Sequence, residues 1–347
     1  LRCWFIVSLE VRGRPALRFM LALCIYLVLK PKTQSQLLLV GYQVTVETHN
    51  GRTARMNLNE TRNLSQEENF EVASVMHATI LDELIRCTDW VKTDAVFHGG
   101  TSLAIIRESV RFSEDLDFMI TEECAAGLGA AVRSVHERMA LVLGGHYPGG
   151  NLELKGPKGR DVCQWLFVWS HPARRGTVQV KAEFLITKKD LLANYASTHI
   201  VPNSRRAVIV KSHVPVPVLV SAWADKIKAI ATRPAFKWRD AYDLSYISRS
   251  MVRESLTDSE KAQAIRATAA IYGTSMTELE QGLRRVLGSG VFEEVAAFEA
   301  DMKRWFDADT YERMLRRDVF RDDLELSAQE VSDAIAILHS PRPERRP

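Results

Sequence analysis

"FHGGTSLAIIRESVRFSEDLDFMI", from Phe97 to Ile120, brings a glycine pair, a short apolar segment and two aspartates together. Its second half alternates. Phe112, Leu116, Phe118 and Ile120 fall on one side of an extended chain, and Arg111, Ser113, Asp115 and Asp117 on the other. The pattern predicts a strand with one apolar and one chemical face. "AVFHGG" reads as a strand end breaking into a glycine turn, and "TSLAIIRES" as a short helix starting at Thr101. Carboxylates two apart on a strand converge on one point off the sheet, and a divalent cation relieves their repulsion. Magnesium suits such a site because it takes oxygen ligands and keeps positions open for phosphate. A bare pair of aspartates is more often the mark of a solvated strand, so the neighbours decide. Gly99, Gly100 and Thr101 supply backbone amides at a helix start, where amides and helix dipole together favour phosphate.

Working outward, "SQEENFEVASVMHATILDELIRCT" has a cap residue at Ser65, acids in its first turn and apolar residues at helical spacing. Ala125 to Leu143 reads as a second long helix, closed by the glycine-rich stretch Gly144 to Gly150. "DVCQWLFVWS" and "TVQVKAEFLIT" read as strands joined by a turn around "HPARRG"; in the second, Gln179, Lys181 and Glu183 share the polar face. "HVPVPVLVSAWADKIKAIATR" turns from prolines to a helix carrying Leu219, Trp223, Ile227 and Ile230 at helical spacing, and nearly every later pattern is helical. The expected organisation is α+β: a mixed helix and strand domain over residues 56–214 followed by a helical domain over residues 215–347.

The chain of 347 residues has an ordinary globular composition, with 46% hydrophobic and 26% charged residues, which excludes disordered and fibrous classes. A net charge of +3 is too mild to mark a nucleic-acid binder by itself. Basic residues do gather at Arg205, Arg206, Lys211, Lys226, Lys228, Arg233, Lys237 and Arg239, either as a face for a polyanion or as solvated helix and loop surface. Five dispersed cysteines without a CxxC pair fit a reducing, cytoplasmic setting, and no zinc spacing occurs. The apolar run "ALRFMLALCIYLVL", Ala16 to Leu29, has the length of a signal-peptide core but is too short and too interrupted to span a bilayer. Residues 1–55 are expected to be an appended or misplaced start of doubtful structure, with Met56 the more natural beginning, and no membrane partner is expected.

The succession of GG-Thr turn, helix and acidic strand resembles the signature of the DNA polymerase beta-like nucleotidyltransferase superfamily. Within it, "GGTSLAIIRESVRFSEDLDF" looks most like the AbiEii/AbiGii toxin nucleotidyltransferases, whose first motif pairs GGT with R-x-S-x-D-x-D; Arg111, Ser113, Asp115 and Asp117 fill it. The family's later lysine and its basic-D-x-x-D motif, with an aromatic before the last acid, match Lys226, Arg239, Asp240, Tyr242 and Asp243 in "ADKIKAIATRPAFKWRDAYDL". The resemblance runs from about Ser65 to Ile247.

The resemblance implies a magnesium-dependent transfer of NMP from an NTP to a hydroxyl, with the 3' end of tRNA as acceptor and an antitoxin as partner. Asp115 and Asp117 would hold metal. Superfamily members usually add a third carboxylate from a neighbouring strand, for which Glu183 is the candidate; its alternative is a surface pair with Lys181 or Arg175. The outer phosphates would lie on Gly99, Gly100, Thr101, Ser113 and Lys226, with Arg239 and Asp240 also placed in the nucleotide site and Asp243 among the catalytic groups. Asp240 and Asp243, three apart on one helical face, would position Lys226 or a metal-bound water, or pair with Arg239 and Lys237. The rivals are transfer to a small molecule or a protein side chain, and a degenerate member that binds nucleotide or RNA without chemistry.

Overall fold

The computed structural model describes residues 43–47, 53–57, 61–88, 90, 94–159, 162–203 and 210–339. The run Ala16 to Leu29, Arg205 and Arg206 lie outside these residues. The chain clusters into two compact units: residues up to Leu64 with His171–Gly176, and Ser65–Ser170 with the residues from Thr177 on. In the first, β1 (Gln43–Glu47) pairs antiparallel with β2 (Thr53–Asn57), and β3 (Arg62–Asn63) pairs parallel with β8 (Arg174–Arg175).

The second unit begins with α1 (Gln66–Cys87), started by a capping box in which Ser65 Oγ accepts from the Glu68 amide and the Glu68 carboxylate from the Ser65 amide. Then come β4 (Ala95–His98), α2 (Gly99–Ile106), β5 (Leu116–Thr121), α3 (Glu122–His146), β6 (Asn151–Lys158), β7 (Val162–Ser170) and β9 (Thr177–Thr187). The strands form one sheet in the order β4-β5-β9-β7-β6, antiparallel except where β5 and β9 run parallel. Helices α1 and α3 pack on each other and on the sheet. After α4 (Lys189–Ala193), β10 (Ser197–Ile200) pairs with β11 (Val214–Pro217).

The remainder is helical: α5 (Leu219–Thr232), α6 (Trp238–Met251), α7 (Asp258–Ile271), α8 (Met276–Leu287), α9 (Val295–Met302), α10 (Ala308–Arg316) and α11 (Val319–His339). Helix α5 packs on α6, α7 and α8, and α11 closes the bundle against α6, α7 and α8. The expected α+β class, with a mixed sheet followed by a helical region, is the architecture observed. No helix among the described residues is long and apolar enough to cross a membrane.

Sheet register explains why one face is core and the other chemical. Phe97, Phe118 and Phe184 are direct neighbours across β4, β5 and β9, with ring centroids 5.1 and 5.0 Å apart. Trp165 meets the same row edge-on at 5.5 Å, a geometry that aromatic quadrupoles favour. One residue along each strand, the side chains turn to the opposite face. There His98 pairs with Asp117, Asp117 with Glu183, and Glu183 with Gln164.

The strand expected from Arg111 onward is shorter than its alternation suggests, since β5 starts only at Leu116. The Phe112 amide donates to the Trp305 carbonyl at 2.7 Å and the Arg111 side chain is buried, so residues 111–115 leave the sheet to meet the helical region. Helix α2 starts at Gly99, two residues before the expected Thr101.

Candidate active site

The acidic row is built on β5 and β9. Asp115 precedes β5, Asp117 is its second residue, and parallel pairing sets Asp117 beside Glu183. Across the row lies Lys181, two residues before Glu183 on the same face, with Nζ 2.9 Å from Glu183 Oε1 and 3.4 Å from Asp115 Oδ2. The sheet-surface pair between Glu183 and Lys181 therefore forms, but inside the carboxylate group rather than away from it. Among the described residues no ammonium or guanidinium lies within ion-pair distance of Asp117.

Asp117 shows the electrostatic consequence. Burial raises its pKa, His98 and Lys226 lower it, Glu183 and Asp115 raise it further, and it is pushed up to about 6. The burial comes from the rest of this face. Val96 and Met119, one turn of the pleat from His98 and Asp117, pack with Leu192, Tyr195 and Ile271, flanked by Leu185 and Tyr272. An apolar wall thus backs the carboxylates.

The glycine pair is required by this geometry. Gly99 has φ +78°, and a Cβ there would lie 2.2 Å from Asp117 Oδ2. At Gly100 a Cβ would meet Arg111 Nη2 at 2.3 Å and Ser113 Oγ at 2.8 Å. The Thr101 hydroxyl is committed inward, donating to the Asp115 carbonyl and pinning the loop that carries the first aspartate. Ser113 is buried beside Gly100. No side chain caps α2, whose N-terminal amides lie beside the acidic row.

A second charge cluster lies behind the turn. Arg111 forms a two-pronged pair with Asp243, Nε to Oδ1 at 2.8 Å and Nη2 to Oδ2 at 2.9 Å. Lys226 Nζ lies 2.7 Å from Asp243 Oδ2 and 3.2 Å from Asp240 Oδ1, and Arg233 Nε is 3.2 Å from Asp240 Oδ2. Arg111, Lys226, Asp240 and Asp243 are all buried. Burial alone would raise the Asp243 pKa, yet Arg111 and Lys226 outweigh it and hold the carboxylate below its ordinary range. Burial likewise disfavours charge on Lys226, but Asp243 and Asp240 more than compensate and its pKa is raised. Of the two expected arrangements, Asp240 and Asp243 therefore form the one that holds Lys226, and Asp240 also pairs with Arg233 rather than with Arg239 or Lys237. Arg239 instead lies over the Trp305 ring, 5.1 Å from its centroid.

Sequence reasoning missed two groups. His98 caps the end of β4 beside Asp117, and its Nδ1 lies 3.6 Å from Asp225 Oδ2, which also accepts from the Tyr195 hydroxyl at 2.7 Å. The only local signals were adjacency: His98 to Gly99, and Asp225 to Lys226.

The donor set suits a hard divalent cation. It is all oxygen, it carries three carboxylates against one ammonium, and the least compensated carboxyl resists ionisation. In this conformation no three His, Cys, Asp or Glu side chains among the described residues close around a common point.

Several solved structures resemble the chain, two of them named proteins. MenT4, a nucleotidyltransferase toxin from Mycobacterium tuberculosis H37Rv, is 20% identical over 80% of this chain and 96% of its own, with a TM-score of 0.41. JHP933 from Helicobacter pylori is 18% identical over 79% of this chain and 95% of its own, with a TM-score of 0.43. A comparison with curated proteins finds no match. The family described as "Nucleotidyl transferase AbiEii toxin, Type IV TA system" matches residues 90–330, which include both charge clusters and the glycine turn between them. With well over half its length matched, the chain belongs to the AbiEii nucleotidyltransferase toxin family.

Proposed function

We propose that this nucleotidyltransferase moves a nucleoside monophosphate from an NTP to the 3' end of tRNA, as the toxin partner of a cognate antitoxin. The observation that carries the reading is the lateral register of Asp117 and Glu183 with Asp115 at the strand entry, three carboxylates facing one open side of the sheet. Asp115, Asp117 and Glu183 would hold magnesium, which when bound would stabilise negative charge on the reacting phosphate and lower the pKa of the attacking hydroxyl.

The chain's own groups supply the rest. The amides at the start of α2, with the Ser113 hydroxyl, bind the outer phosphates of the NTP, and the Gly99–Gly100 turn brings them close to Asp117. Lys226 adds positive potential from behind that turn, held in place by Asp240 and Asp243. An acceptor hydroxyl attacks the α phosphorus and pyrophosphate leaves. Asp115, Asp117 and Glu183 would hold the cation beside the start of α2.

Support for a polyanionic acceptor comes from Arg233, Lys237 and Arg239. The Lys237 pKa is lowered by burial and then by its two arginine neighbours, with Asp240 and Asp115 opposing. Cations crowded together, with Lys237 within the electrostatic reach of Asp115, favour a phosphate backbone, and binding through them weakens with salt.

The test is incubation of the protein with total RNA, magnesium and each α-labelled NTP in turn, beside Asp117→Ala. Label entering the tRNA band with wild type and not with the variant is the expected result. Label entering protein or small-molecule pools would replace the tRNA acceptor, and no pyrophosphate release from any pool would remove the catalytic reading.

A further inference from the structure

Lys181 and Lys226 are both paired with carboxylates, but they are held very differently. The Lys226 side chain is 10% exposed and its two aspartates are buried with it, whereas the Lys181 side chain is 34% exposed. The Lys181 ammonium can thus leave toward water without opening the core. It also sits between Glu183 and Asp115, which belong to the group that would hold a divalent cation. Its position is a consequence of strand geometry: residues 181 and 183 share a face of β9, and β5 places Asp115 within reach.

We propose that Lys181 is a built-in counter-ion of the acidic row, neutralising Asp115 and Glu183 until a divalent cation displaces it, and thereby setting the affinity for that cation. A tethered ammonium competes with a free ion for the same oxygens. The row then avoids an uncompensated cluster of three carboxylates when empty, and metal entry costs the rupture of two ion pairs. The proposal rests on the reading that Asp115, Asp117 and Glu183 hold the metal.

The experiment is a manganese titration of the full chain without nucleotide, with free Mn2+ followed by electron paramagnetic resonance, for wild type, Lys181→Met, Lys181→Gln, Lys181→Arg and Asp117→Asn. Both neutral variants are expected to bind Mn2+ about three- to tenfold tighter than wild type, the scale of part-exposed ion pairs. Lys181→Arg should stay near wild type, and Asp117→Asn should bind far more weakly. Thermal melts identify any variant that does not fold, and the two neutral substitutions stand in for each other. Weak binding by Asp117→Asn with unchanged or weaker binding by the neutral variants overturns the counter-ion proposal alone. Binding by Asp117→Asn equal to wild type overturns the metal reading, and the proposal with it.

Discussion

The acidic row and the charge cluster behind it are both built from carboxylates and cations, but their charge balance differs. Behind the turn, Arg111 and Lys226 match Asp240 and Asp243, with Arg233 at the rim, and the shared contacts satisfy both sides. On the row, Lys181 faces Asp115 and Glu183, while Asp117 has a pKa of about 6. The matched cluster ties the glycine turn to α6 and holds Lys226 behind that turn. The unmatched row is where an external cation gains most.

This contrast can be broken by removing one carboxylate from each side. Asp117→Asn should lower nucleotidyl transfer on the order of a thousandfold, the scale of losing a principal electrostatic contributor in a catalytic site; a labelled-nucleotide assay reads it, and near wild-type activity would move the reaction centre elsewhere. Asp243→Ala should instead act on folding, costing about 3–5 kcal/mol in urea denaturation because Arg111 and Lys226 would be left buried without their shared partner. Equal stability of wild type and Asp243→Ala would show that the cluster does not tie the turn to α6.

Smaller effects sharpen the comparison. Gly100→Ala would push a Cβ into Arg111 and Ser113, and an overpacked contact costs about 1–3 kcal/mol. Activity should fall with stability, since the same turn lies between the two clusters.

The smallest effect concerns pH. The folded Asp117 carboxyl holds its proton more tightly than an unfolded one, with a pKa of about 6 against 3.8. Folded protein therefore binds more protons than unfolded between these values, and this carboxyl's contribution to stability falls as pH rises through that window. Without metal, Asp117→Asn should match wild type near pH 4 and exceed it by about 1 kcal/mol above pH 6, a figure discounted for partial exposure. Melts across pH 4 to 8 check it, and a variant less stable than wild type at pH 8 would contradict the assigned strain.

Local pattern made much of the frame readable. The Ser65 cap, the alternation along residues 177–187 and the helical spacing of α5 each depend on neighbours within a few residues, so their elements appear near the expected places. The α+β class and the family followed from such segments. Arg111 is the instructive departure: alternation set it on the strand's polar face, but Asp243, 132 residues away, holds it in the core and delays the strand to Leu116.

By itself, then, the sequence determined the element types, the glycine turn and the presence of an acidic pair, because period-two alternation, helix caps and backbone freedom at glycine are short-range properties. Tertiary structure alone decided that Asp117 lies beside Glu183, that His98 meets Asp225, and that Lys181 bridges one carboxylate group while Lys226 is locked into another. Those relations depend on strand register and on helices packed from distant parts of the chain. One residue of register would turn each of these strand side chains to the other face of the sheet.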